Sequence, residues 1–102
     1  MSVDTSQVKK ALVSLSIEES FLEIGGTKLL NDVYRILYER FNCYLPDCYD
    51  NPEYLKPVYE ELEIGTWRTF IDFLNSKLEE FSYQKEIGNF MNKISELHAI
   101  TV

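Results

Sequence analysis

The chain places two thiols five residues apart, Cys43 and Cys48, in a stretch that also holds its only prolines, Pro46, Pro52 and Pro57. Tyr44, Tyr49 and Tyr54 are interleaved with them, and Asp47 and Asp50 supply carboxylates. Thiolates and carboxylates at short spacing raise the question of a metal first. A structural zinc site takes four ligands, commonly with one pair from a Cys-x2–4-Cys knuckle. Cys43-x4-Cys48 sits at the edge of that spacing, no second pair follows, and His98 is the only histidine. The set falls short of a zinc site, so two small, semi-buried thiols with no metal and no cofactor are expected. A disulfide between them is geometrically allowed but disfavoured in a reducing compartment. Redox reactivity needs a stabilised thiolate. Cys43 falls at the end of a predicted helix, where the dipole opposes negative charge, and its neighbours are acidic.

Catalysis finds little to work with. General acid–base and nucleophilic chemistry need a base positioned against a donor, and His98 has no evident companion. The acidic clusters Glu60-Glu61-Leu-Glu63 and Glu79-Glu80 read as solvated helix faces. Gly25-Gly26 lacks the preceding strand and the lysine of a phosphate-binding loop. The expectation is a non-enzymatic protein.

Composition narrows the partners. Seventeen acidic against ten basic residues give a net charge of −7. Nucleic-acid affinity rests mainly on clustered Lys and Arg neutralising phosphate, and Lys9-Lys10 is the only adjacent basic pair. Nucleic acid and anionic membranes are therefore disfavoured. No secretory leader pattern and no apolar run near the roughly 20 residues of a membrane span is evident, so a cytoplasmic protein with reduced thiols is expected. What remains is a protein partner or a second copy of the chain. Residues 47–63 carry six acids against Lys56, with tyrosines among them, and Tyr is favoured at interfaces for its apolar body and polar tip.

A length of 102 residues, 45% hydrophobic and 14% aromatic, suits one domain, 1–102, with a Phe- and Tyr-rich core. Hydrophobic periodicity predicts an all-α bundle of about five helices, with the Pro/Cys/Tyr-rich loop between the second and third. The first helix, about 4–23, is capped by Asp4 or Ser6 and stopped by Gly25-Gly26. It carries two apolar stripes: Val8, Ala11, Leu12, Leu15 and Leu22 on one side, Val13, Ile17, Phe21 and Ile24 on nearly the other. An isolated surface helix has only one face to bury. The pattern fits two arrangements: a break at Ser16-Ile-Glu-Glu19, which resembles a capping box, or a straight helix whose second face meets other helices or a second copy. Val13, Ile17 and Phe21 are the candidates for self-association, making a homodimer.

The second helix, about 27–43, has the clearest stripe: Leu30, Val33, Tyr34, Leu37, Tyr38 and Phe41. Asp50-Asn51-Pro52-Glu53 is a start signal for a bent or two-part third helix over 52–63, with Leu55, Val58 and Leu62 inward and Gly65 closing it. Thr66 caps the fourth, about 67–80, with Phe70, Ile71, Leu74 and Leu78 inward and Phe73 a candidate exposed aromatic. Ser82 caps the fifth, about 83–97, along Ile87, Phe90, Met91, Ile94 and Leu97, beside Gly88. Ile100 and Val102 are expected to fray.

The run Leu37-Tyr-Glu-Arg-Phe41, then Cys43-Tyr-Leu-Pro-Asp-Cys48, then Asn51-Pro-Glu-Tyr-Leu55, closing with Gly65 and the helix over 87–97, resembles a small helical archaeal domain. That domain occurs alone and at the ends of signal-transduction proteins as an output module. The likeness spans about residues 8–97, and Cys-x4-Cys-x3-Pro-Glu-Tyr-Leu is its most specific part. It implies a helical fold and a signalling role and carries no catalytic residue. The combined expectation is a self-associating interaction or signalling output module. The alternative is a sensor of a small molecule or metal in which the 43–57 loop lines a pocket.

Overall fold

The computed structural model describes the backbone of residues 5–62 and 67–100 and the side chains of 7–62 and 68–97. The chain runs through α1 (Thr5–Phe41), two 3-10 turns (Leu45–Tyr49 and Pro52–Tyr54), α2 (Leu55–Leu62), α3 (Trp67–Leu78), a 3-10 turn (Glu79–Phe81) and α4 (Lys85–Ile100). No strand occurs among the described residues. The all-α expectation holds, with four α-helices among the described residues in place of about five, the first of them being two helical runs joined across Gly26.

That element is not straight. Gly26 has φ 73° and ψ −166° inside it. A straight helix of this length would measure about 55 Å, yet the longest extent of the molecule is 41 Å. The Tyr34 hydroxyl donates to Glu18 at 3.0 Å across 16 residues, a contact only a reversal of the chain allows. α1 is therefore a helical hairpin, with an N-terminal arm (5–25) and a C-terminal arm (27–41) joined through Gly26. Gly25-Gly26 does end the first helical run, as a turn of one residue.

The N-terminal arm is unbroken at Ser16. The hydroxyl there donates to Leu12 O at 3.0 Å, and Ser20 repeats the pattern to Ser16 O at 2.8 Å, so neither serine caps a new helix. Both are buried, and this back-bonding lets a hydroxyl enter a core without an orphaned donor. Beside them Val13, Ile17 and Phe21 are completely buried. The exposed self-association face expected of these three is corrected: within the single chain they are core residues. Phe21 stacks on Phe70 of α3 with ring centroids 4.7 Å apart, and Lys77 of α3 pairs with Glu19 and Glu23 at 3.7 and 2.9 Å. The C-terminal arm adds Leu29, Leu30, Val33, Ile36 and Leu37 to the same core.

Asn42 stops α1 with φ 52°, a left-handed conformation that Asn tolerates better than most residues. Pro46 and Pro52 then sit in the first positions of the two 3-10 turns, where the missing N–H has no helical partner to lose. The expected cap at Asp50-Asn51 is not built: Asn51 makes no side-chain cap and Asp50 pairs with Lys10 at 3.2 Å. The third helix is two-part as expected, with Leu55 and Val58 buried and Leu62 partly so. Pro57 lies in the first turn of α2. Ser82 does not cap α4, since its hydroxyl donates to Glu79 O at 2.7 Å and closes the preceding turn. Phe73 is half-buried. The expected features at Asp4, Gly65, Thr66 and Val102 lie outside the described residues, as do the side chains of Ser6, His98 and Ile100.

Candidate functional site

The core takes one stripe of the N-terminal arm and leaves the other in solvent. Val8, Leu15 and Leu22 recur every seven residues and are 54, 50 and 37% exposed. They form a ridge pointing away from the core. Between this ridge and the C-terminal arm runs a groove of about 770 Å³. Ala11, Ser14 and Leu15 line its floor and one wall, Tyr34 the other wall, and Tyr44, Leu45 and Pro46 close one end. Its surface is mostly apolar.

The local sequence explains the end wall. Asp47 accepts a hydrogen bond from Tyr44 N–H at 2.9 Å, and Asp47 N–H donates back to Tyr44 O at 3.0 Å. This pair fixes the turn while Leu45 and Cys48 turn inward. Tyr44 turns outward, 68% exposed, with its ring 6.0 Å from that of Tyr38, itself 54% exposed. The groove thus has an aromatic shoulder beside its apolar ridge.

Four of its polar side chains are already engaged. Lys10 pairs with Asp50, Ser14 Oγ donates to Lys10 O at 2.7 Å, and Glu18 accepts from Tyr34. Burial, reinforced by the Glu18 carboxylate, pushes the Tyr34 phenol above its ordinary value. No nucleophile there faces a base.

Tyr49, Tyr54, Pro52 and the two cysteines anchor the rest of the 43–57 loop. Tyr49 and Tyr54, expected at an interface, are half-buried: Tyr54 stacks on Phe41 at 4.2 Å and 9°, and Tyr49 stacks on Phe90 at 6.3 Å. Pro52 is buried at the start of its turn. Cys43 and Cys48 are buried free thiols. Burial, then the neighbouring Cys43 and the carboxylates of Asp47 and Glu53, push the Cys48 thiol far above its ordinary range, and burial raises Cys43 as well. Of the three tyrosines singled out from sequence, the structure brings only Tyr44 to the groove, together with Pro46. Val8, Leu15, Leu22, Tyr34 and Tyr38 were missed as surface residues. For Val8, Leu15 and Leu22 the signal was their seven-residue recurrence within one of the two apolar stripes of the first helix.

Among the described residues, no group of three or more His, Cys, Asp or Glu side chains is placed to hold a metal ion. No helix among them is long and apolar enough to cross a membrane. In comparisons with known proteins, no family model matches the chain, and neither a curated protein nor a solved structure matches it.

Proposed function

We propose that this chain is a non-enzymatic protein-interaction module, of the kind that serves as an output domain in signalling, and that its docking surface is the groove and ridge of α1. The observation that carries this reading is an apolar groove lined by the exposed Leu15 and Tyr44, with Val8 and Leu22 exposed in line with Leu15 on the same helix and Tyr38 exposed beside Tyr44. Scattered apolar residues are ordinary on a surface, but a contiguous patch marks an interaction site. The occupant it fits is an amphipathic helix with apolar anchors at helical spacing. Charge selects the flanks. Glu18, Asp47 and Asp50 stand around the groove against Lys10, and the chain carries −7, so a basic helix gains where an acidic one is repelled.

The probe is a fluorescent 18-residue Leu/Lys helical peptide, with its Leu/Glu counterpart as control, followed by anisotropy. The Leu/Lys peptide binds the wild type, and Leu15→Asp weakens it about tenfold, equivalent to ~1.4 kcal/mol. Equal binding of both peptides, or equal binding by the variant, contradicts the reading.

A second reading has its own observation. Tyr44, Leu45 and Pro46 of the 43–57 loop line the groove, and its volume lies within the roughly 300–1,000 Å³ of small-molecule sites. A sensor of a small apolar ligand binds a hydrophobic dye at the groove, loses it in Tyr44→Ala, and ignores the Leu/Lys peptide. A wild type that binds no dye contradicts this second reading.

A further inference from the structure

The reversal of α1 depends on a single residue, and both glycines of the turn serve it in different ways. Gly26 holds φ 73° with open space around the position of a Cβ, so its requirement is conformational: an L side chain is disfavoured there whatever the room. Gly25 has a steric requirement. A Cβ on it would lie 2.6 Å from Leu29 Cδ2 and 2.7 Å from Leu29 Cβ, whereas residues four apart on a straight helix keep their Cβ atoms about 5–6 Å apart. Neither glycine is needed in a straight helix, where both are poorer than alanine. Gly26 is the one residue of α1 with non-helical backbone angles. One change of its φ and ψ therefore turns the hairpin into a straight 37-residue helix.

We propose that α1 opens at Gly26 and exchanges its N-terminal arm with a second copy of the chain. A turn with no spare residues favours such exchange, because the arm can remake in the other copy the contacts it makes in its own. Those contacts are already two-sided: Phe21 on Phe70, and Glu19 and Glu23 with Lys77. In the exchanged dimer each groove is composite, with Ala11, Leu15 and Glu18 from one copy facing Tyr34, Tyr44 and Pro46 of the other. The inference is independent of what fills the groove. Replacing Gly26 removes the left-handed conformation from the closed form and favours the straight helix. The closed form is disfavoured about tenfold per chain, so the dimer dissociation constant falls about a hundredfold.

The test uses unlabelled and nitrogen-15-labelled protein, unfolded together, refolded as a mixture and treated with a carbodiimide. The 2.9 Å Lys77–Glu23 pair is the target for a zero-length amide, read by mass spectrometry. Gly26→Ala is expected as a dimer by light scattering with mixed-isotope 23–77 crosslinks. Inserting Gly-Ser-Gly after Gly25 relieves the turn and is expected to give monomer with same-isotope crosslinks. A monomeric Gly26→Ala, or a dimer whose 23–77 crosslinks are all same-isotope, overturns the proposal. Should Gly26→Ala not fold, wild type refolded as a concentrated mixture gives the same readout: mixed-isotope crosslinks support exchange and their absence refutes it.

Discussion

At Gly26 the helix reverses through one residue, whereas between Phe41 and Leu55 the chain spends thirteen residues to make its next change of direction. The first bend is defined by what it lacks: a Cβ at Gly25, where one would meet Leu29, and an L side chain at a left-handed φ. The second is defined by what it contains. Two prolines open its 3-10 turns, Asp47 closes a reciprocal pair with Tyr44, Leu45 and Cys48 enter the core, and Tyr49 and Tyr54 clamp it to Phe90 and Phe41. A bend held by packing resists change everywhere along its length. A bend held by a missing side chain is sensitive at one or two positions and free elsewhere. The groove lies between the two arms of the hairpin, away from Gly26, with its walls from those arms and an end from the packed loop.

The largest effect that sharpens this contrast is expected at the packed bend. Leu55 is fully buried where the loop enters α2, and Leu55→Ala costs about 2–5 kcal/mol for the lost burial and the cavity left behind, read from the urea midpoint at constant slope. Gly25→Ala should follow at about 1–3 kcal/mol, the usual range for overpacking, because the Leu29 Cβ it meets is not a flexible end. Gly88→Ala is the control within α4. Its Cβ would lie 3.2 Å from Ser82 O, and the helix preference of up to ~1 kcal/mol works against that tight contact, so the net change is small. A loss at Gly88 equal to that at Gly25 would erase the distinction between a turn glycine and a helix glycine. The smallest stability effect is Tyr44→Ala, within about 0.5 kcal/mol as for most exposed sites, while peptide binding falls clearly.

The buried thiols supply a pH test of the packed bend. Folding raises Cys48 and Cys43 above the 9.0 of a free thiol, so the native state holds their protons where the unfolded chain releases them. Stability from this source is complete below pH 9 and falls as pH rises from there through the folded values. Tyr34, Tyr49 and Tyr59 are raised too and act in the same direction from about pH 10. Cys48→Ala should flatten the onset of the decline in an unfolding series from pH 8 to 11, and an unchanged onset would show that the thiol contributes nothing to it.

Much of the fold was legible. The C-terminal arm of α1, α3 and α4 each carry a single stripe, and the residues read as inward on α3 and α4, from Phe70 to Leu78 and from Ile87 to Ile94, are in the core or packed against it. The break between Cys43 and Leu55 was plain from its prolines. The N-terminal arm was not legible in the same way, because its two stripes are of similar apolar content. The side that won contains Ser16 and Ser20, polar on any hydropathy scale yet able to satisfy their hydroxyls on the preceding turn. Being small, they also leave room beside Val13, Ile17 and Phe21 for neighbouring helices. The exposure of Val8, Leu15 and Leu22 was not legible for the same reason: once Val13, Ile17 and Phe21 are assigned outward, these three go inward by default. Tyr44 was separable from Tyr49 and Tyr54 only by contacts with Phe41 and Phe90, more than ten residues and about forty residues away in sequence.

The most direct test of the docking surface is a titration of nitrogen-15-labelled protein with the Leu/Lys helical peptide, followed by two-dimensional NMR. The account predicts that the largest amide shifts cluster at residues 8–22, 34–38 and 44–47, with α4 left in place. Shifts spread over the acidic positions of α4, such as Glu86 and Glu96, with the groove unmoved, would mean that the peptide is held by net charge alone and would contradict the assignment of α1 as the binding face.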